Sequence, residues 1–228
     1  MQPLKNDLPR CDDVLFLFYD FETTQETNLS ENPTEHILIV VSLQQFCMAC
    51  EMQADIDTDC ERCGRRRHSF YEVPVADLLS YLCKLQPWCN EVVAIEHNAK
   101  AFDSQFILKR AILLKWNPQI ILSGLKIISM QMQHLDFLDS ISYLPMPSRK
   151  LPEAFGLSPS KSRYQHYFIT KANLDFFGPI PDIGYFGADE VREGERMDFI
   201  SGNDEQKDKV FDKRRVLEQY CQDNVTVL

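Results

Sequence analysis

Asp20-Phe21-Glu22, His97-Asn98 with Asp103, and Tyr220 with Asn224 are the three places where this chain groups residues able to act on a phosphodiester. Asp20 and Glu22 stand two apart, so on an extended backbone both carboxylates point to one side. Two like charges held side by side are costly unless a cation offsets them. Asp103 opens a helix-forming segment, and carboxylates at a strand end and a nearby helix start can share a metal. Carboxylates gathered from distant segments are how a protein holds two divalent ions for cutting phosphodiesters. Tyr220 and position 224 lie one above the other on a helix face. A tyrosine hydroxyl one turn from a carboxylate would orient an attacking water. Position 224 is Asn, a neutral group with one weaker oxygen donor, and Asp223 lies about 100° around the helix. Each group also has an ordinary reading. Asp20 and Glu22 fit a solvated strand end, Asp103 a helix N-cap, and Tyr220 a half-buried core tyrosine.

A second chemistry is written in the cysteines. Cys47-Met-Ala-Cys50 and Cys60-Glu-Arg-Cys63 have the spacing of a four-thiolate zinc site, and Gly64 suits the tight turn such a knuckle needs. The alternative is a set of ordinary free thiols in a loop. Four thiolates leave no open position, so the expected role is structural. Cys11, Cys83, Cys89 and Cys221 are isolated and read as packing residues. Arg65-Arg66-Arg67 fits either a phosphate-contacting patch or a solvated run.

The elements that must carry these groups read as α/β. Val14 to Tyr19 is a continuous apolar run, the look of a strand buried on both faces, with Asp20 and Glu22 at its end. His36 to Phe46 is a second strand. Ser69 to Val73 is a candidate return strand after the cysteines. Val75, Leu78, Leu79 and Leu82 mark a helix over 75–85. Glu91 to Glu96 is a short strand leading into His97-Asn98. Ser104 to Lys115 is a helix with Phe106, Ile107, Ile112 and Leu113 inward. Gln119 to Leu122 and Lys126 to Met132 are further strands. Leu135 to Leu144 is mixed in signal, and Arg149 to Phe155 a short helix. From Ser158 to Asp189 the chain reads as a long ordered loop. Asp204 to Leu228 is a helix with Val210, Val216, Leu217, Tyr220 and Val227 as core positions.

Composition bounds the class. With 228 residues, 44% hydrophobic and 11% aromatic, the chain supports one sizeable core. It has no apolar run long enough for a membrane span and no signal-peptide pattern. Paired CxxC spacings among eight cysteines fit an intracellular metal site better than disulfides. A net charge of −10 is unexpected for a protein gripping duplex DNA, though acids that bind cations with basic residues clustered locally can accommodate it. No feature indicates an oligomer.

Tyr19-Asp20-Phe21-Glu22-Thr23-Thr24, His97-Asn98-Ala99-Lys100-Ala101-Phe102-Asp103 and Tyr220-Cys221-Gln222-Asp223-Asn224 together resemble the three exonuclease motifs of the DEDD-type 3′–5′ exonuclease domain of family-B DNA polymerases. Leu138-Asp139-Ser140-Ile141 and Leu144-Pro145-Met146-Pro147 are similar to the segment that contacts single-stranded DNA in the protein-primed branch. Gly178-Pro179-Ile180-Pro181-Asp182 and the following Tyr-Phe-Gly look like the polymerases of Maverick/Polinton-type mobile elements and related viruses. The resemblance implies an RNase H-like exonuclease fold, a mixed sheet flanked by helices, carrying two magnesium or manganese ions. Asp20, Glu22 and Asp103 would be their ligands, and Tyr220 would orient the water. Thr23, Asn98, Phe102, Ser140 and Ile141 would hold a frayed single-stranded 3′ end, with Phe102 against an unpaired base. Arg149-Lys150 fits a phosphate contact or a solvated pair equally.

Four departures shape the expected function. The motif carries Asp where this chain has Asn224, and losing a metal-binding carboxylate costs orders of magnitude in rate. Arg163-Tyr164-Gln165-His166 lacks the proline expected before its histidine. Ser201-Gly202-Asn203 breaks the expected aromatic stretch. The chain stops at Leu228, just past the third motif. The expectation is therefore one exonuclease-like domain over 1–228, with a four-cysteine zinc hairpin inserted over 46–70 and no polymerase palm. It would be the proofreading part of a protein-primed DNA polymerase with weakened hydrolysis. The alternative is a non-catalytic, single-strand- or partner-binding remnant of a mobile element. Expected partners are a single-stranded DNA 3′ end and a terminal priming protein, in an intracellular setting, nuclear or tied to a virus or mobile element, and not secreted.

Overall fold

A computed structural model describes residues 11–24, 37–53, 55–84, 86–99, 102–156, 164, 166–186 and 210–228. Strands β1 (Val14–Thr23), β2 (Leu38–Phe46), β3 (Arg67–Phe70), β4 (Glu91–Glu96), β5 (Gln119–Ser123), β6 (Lys126–Met132) and β7 (Leu135–Asp139) form one sheet, in the order β3-β2-β1-β4-β7-β6-β5. The centre is parallel, β1 with β4 and β4 with β7, and the flanking pairs are antiparallel. Helices α1 (Pro74–Leu82) and α2 (Asp103–Leu113) cover one face, and α4 (Lys213–Thr226) the other. A short α3 (Leu151–Phe155) and a two-stranded ribbon, β8 (Phe177–Gly178) with β9 (Phe211–Asp212), lie outside the sheet. Among the described residues no helix is long and apolar enough to cross a membrane.

Alternation along β1 decides which chemistry meets which layer. Leu15, Leu17, Tyr19 and Phe21 are buried together with Leu78, Leu79, Leu82, Ile107 and Ala111. Phe16, Phe18, Asp20 and Glu22 face the other way and are only half-buried. The strand is thus not buried equally on both faces as its apolar run suggested, because α4 covers the second face only in part. Under α4, Ile39 and Val40 pack with Leu217, Tyr220, Cys221, Tyr164 and Ile169.

Several boundaries differ from the sequence reading. Strand β3 begins at Arg67, where it can pair with Gln44 of β2. It ends at Phe70, short of the expected Val73, and Pro74 opens α1 as a favourable first helical residue. In α2, Ile107 and Ala111 set the buried face. Ile112 and Leu113, expected inward, are 59% and 66% exposed. The mixed 135–144 segment is a strand that turns into a 3₁₀ helix at Ser140. Within the described residues 210–228, the helix begins at Lys213, after β9, with the Asp212 side chain accepting from the Arg215 N–H. Val210 is exposed, and Phe211 takes the buried place. In the segment expected as a loop over 158–189, the described residues form short 3₁₀ turns and β8. Arg163, Gln165 and the Ser201-Gly202-Asn203 step lie outside the described residues, as do His36 and 204–209.

Candidate functional site

The half-buried end of β1 and the buried face of α4 meet the loop after β4 and the segment after β7 at one cleft. It has a volume of about 610 Å³ and is lined by Asp20 and Glu22, by His97 and Asn98, by Ile141 and 145–148, and by Tyr220 and Asn224. That volume falls in the range of ligand sites. Parallel pairing of β1 with β4 and of β4 with β7 brings the three chain regions together, since each strand ends at the same sheet edge.

At the floor, Asn224 is almost fully buried. Its Nδ2 donates to Asp20 Oδ2 at 3.0 Å and to Glu22 Oε1 at 3.4 Å. Its Oδ1 is buried without a hydrogen-bond partner. The amide therefore spans the carboxylate pair with its positive edge, where a cation would otherwise offset the two charges. The Cys221 thiol donates to the Asp20 carbonyl at 3.1 Å, fixing β1 to the helix. Cys221 and Cys89 are buried and Cys83 half-buried, as packing residues should be.

The wall opposite is held by Asp139. Its Oδ1 accepts from the Asn98 N–H at 2.9 Å and the Ile141 N–H at 3.0 Å. That grip supports Asn98 in a left-handed conformation, φ 74°, which a side chain of its type tolerates better than most. His97 bridges the Ser140 hydroxyl, at 3.0 Å, and the Met146 carbonyl, to which Nε2 donates at 2.7 Å. Ser140 donates in turn to the Glu96 carbonyl. Ser140 thus props the wall without lining it. Thr23, which follows Glu22, is buried, and Phe102 packs edge-on against Phe106 at 4.8 Å.

Asp103 is not among the residues that line the cleft. It faces Glu96, and the Tyr19 hydroxyl, the Glu96 carboxyl and Asp103 form a hydrogen-bonded series on the α1/α2 side of the sheet. Glu96 follows Val92 and Ala94 on the buried alternation of β4, so it must point inward. Burial, then the Asp103 charge, push Glu96 well up, and burial pushes Asp103 up. The two carboxyls satisfy each other by sharing a proton. Among the described residues, the four cysteines are the group of His, Cys, Asp and Glu whose ligand atoms lie close enough together to hold a metal.

The sequence reading assigns no role of their own to Lys213, Tyr164, Glu96 and Asp139. Lys213 is fully buried at the start of α4, and its ammonium donates to the Tyr164 hydroxyl. Tyr164 stacks on Tyr220 with ring centroids 4.2 Å apart. Burial pulls Lys213 down to about 7, while the Glu22 charge acts the other way. Burial and Glu22 both push the Tyr220 phenol up, so it stays protonated and able to donate.

The cysteine hairpin stands apart from the cleft. Cys47, Cys50, Cys60 and Cys63 are all buried and unbridged by disulfides, with their sulfurs gathered in one cluster. Burial pushes the Cys50 and Cys63 thiols up. Arg66 is buried and donates to the Gln53 and Asp55 carbonyls, and Arg67 pairs with Asp57 at 2.8 Å. Two of the three arginines are thus engaged inside the hairpin rather than on a phosphate patch.

No protein-family profile matches the chain. A 117-residue stretch is 31% identical to a protein described as a probable DNA polymerase of Agaricus bitorquis, the match covering 48% of this chain and 15% of that protein. The chain therefore spans a minor part of the length of that relative. Phi29 DNA polymerase in its orthorhombic crystal form shares the fold over 93% of this chain and 29% of its own, at 13% identity and a TM-score of 0.52. Phi29 DNA polymerase complexed with single-stranded DNA superposes with the same TM-score of 0.52, covering 93% of this chain and 30% of that one, again at 13% identity.

Proposed function

We propose that this chain is an exonuclease-type domain with an RNase H-like fold, the proofreading part of a protein-primed family-B DNA polymerase. It holds a single-stranded DNA 3′ end in the cleft and hydrolyses it weakly. The reading takes 1–228 as one domain with the four-cysteine hairpin of 46–70 inserted between two strands. A terminal priming protein, and an origin among Maverick/Polinton-type elements, belong to the same reading. It is supported by the fold shared with phi29 DNA polymerase and by the placement of all three motif regions at one cleft.

The observation that carries it is the Asn224 amide lying across Asp20 and Glu22. With a neutral amide instead of a carboxylate beside Asp20 and Glu22, and with Asp103 engaged by Glu96, these residues would hold divalent ions only weakly. What the chain's own residues offer is a grip. Asn98 and Ile141 meet the terminal bases from a wall fixed by Asp139, Tyr220 offers its hydroxyl at the floor, and Thr23, Phe102 and Ser140 support these surfaces. The non-catalytic alternative, a single-strand-binding remnant, is favoured by the same donor pattern. It differs from the main reading only in residual cleavage.

The test of the grip is fluorescence anisotropy with a labelled oligonucleotide and no divalent ion. The expected result is binding of a single strand with a free 3′ end about tenfold tighter than a blunt duplex, a difference of about 1.4 kcal/mol. Asn98→Ala and Ile141→Ala should each erase much of that preference. Equal affinity for both DNAs, or no effect of either substitution, would contradict it.

A further inference from the structure

We propose that Cys47, Cys50, Cys60 and Cys63 hold one Zn²⁺, and that this ion anchors a strut which fixes helix α4 and so the Tyr220–Asn224 floor of the cleft. The metal half of the inference rests on spacing. The sulfurs of Cys47 and Cys50 are 3.8 Å apart, those of Cys47 and Cys60 3.8 Å, and those of Cys50 and Cys63 3.5 Å. A tetrahedron with Zn–S bonds of about 2.3 Å has edges of about 3.8 Å. A disulfide would bring two sulfurs to about 2.05 Å. The quartet therefore has the size of a coordination shell.

The backbone around it is built for that shell. The Cys47 N–H points at Cys50 Sγ at 3.4 Å. Cys60 and Gly64 exchange both backbone hydrogen bonds, at 2.9 and 2.8 Å, with Gly64 at φ 78°, where a glycine is favoured. Buried Gln45 of β2 donates to the Cys63 carbonyl at 2.6 Å and the Arg65 carbonyl at 2.9 Å, and accepts from the Tyr81 hydroxyl. The second knuckle is thus clamped to the sheet as well as to the first.

The mechanical half rests on the strand that comes out of the hairpin. Strand β3 leaves it directly, is four residues long, and lies at the edge of the sheet with β2 on one side only. Such a strand is weakly held by its own ladder. Yet it and the next residue touch α4 along its length. The Arg67 guanidinium donates to Thr226 Oγ1 at 3.2 Å, the Gln222 amide to Ser69 Oγ at 3.4 Å, and Arg214 lies 4.5 Å over the Tyr71 ring. Gln222 and Thr226 bracket Asn224. Arg67 also pairs with Asp57 inside the hairpin, so one side chain links the hairpin to the last turn of α4. Closing the hairpin with a metal fixes β3, and β3 fixes α4.

Metal analysis and amide hydrogen exchange on the whole chain, with and without a zinc chelator, test this. The expected results are about one equivalent of zinc as purified and cobalt-thiolate absorption on exchange with Co²⁺. Exchange over 218–226 should become about tenfold faster or more on chelation, with β6 and β7 little changed. Arg67→Ala should keep its zinc and still speed exchange over 218–226, which a cysteine variant that fails to fold could not reveal. Less than about half an equivalent of zinc overturns the site. Uniform loosening of every segment on chelation, or an unmoved 218–226 in Arg67→Ala, overturns the strut. Neither outcome bears on the grip of the cleft for DNA, which the anisotropy experiment reads by itself.

Discussion

A single atom exchange, oxygen for nitrogen at position 224, separates a carboxylate that would add charge to Asp20 and Glu22 from an amide that donates to both. Lys213 is a comparable case at the other end of α4. Its ammonium is fully buried against Tyr164, and burial brings it down to about 7. An ordinary lysine titrates near 10.4, so between about pH 7 and 10 the unfolded chain binds more protons than the folded one, and stability rises with pH across that window. Lys213→Met should remove that rise, which is on the order of a few kcal/mol, and be neutral or stabilising at pH 7. Urea midpoints at pH 7 and pH 9.5 check it, and an unchanged rise in the variant would contradict the assignment. Asp139 is the residue to test on the opposite wall. Asp139→Ala frees both the Asn98 and Ile141 N–H groups, and affinity for a single-stranded oligonucleotide should fall about tenfold. Asp139→Asn keeps an acceptor and should retain part of it.

At the scale of elements, β4 and β6 have the bounds their sequences suggested, because hydrophobic runs closed by His97 and by the 124–125 turn leave little choice. The CxxC spacings likewise pointed to the four cysteines whose sulfurs gather in one cluster. Other features rest on distant partners. Helix α2 turns Ile107 and Ala111 inward, a phase decided by the sheet beneath it, and its exposed Ile112 and Leu113 look equally apolar in sequence. Lys213 opens a run of three basic residues, and nothing in that run marks the first as buried; the tyrosine that receives it lies 49 residues earlier in the chain. Glu96 looks like the polar end of a strand, yet alternation turns it into the core. The Gln45 clamp was equally hidden. Gln45→Leu would leave two carbonyls and the Tyr81 hydroxyl without this partner, at a cost of about 1–3 kcal/mol. Thermal unfolding should therefore shift down by several degrees, roughly 2–4 °C per kcal/mol. A shift smaller than the error of the scan would show that the clamp contributes nothing.

The molecule as a whole carries a net charge of −10. Under the proposed function a DNA ligand would approach against that field, so affinity would come from stacking and hydrogen bonds at the 3′ end rather than from many phosphate contacts. The slope of log affinity against log salt should then be shallow, equivalent to about one to three phosphates at roughly 0.7 each for a single strand. A slope several times steeper would place binding on a basic surface instead of the cleft. The central proposal concerns the cleft itself, read as a nuclease arrangement blunted at one position. The direct measurement is trimming of a 5′-labelled single-stranded oligonucleotide in manganese by the natural chain and by Asn224→Asp, side by side. The account predicts at least about tenfold faster trimming by the Asp variant, in line with the charge a metal site gains. Equal rates in the two proteins would contradict it.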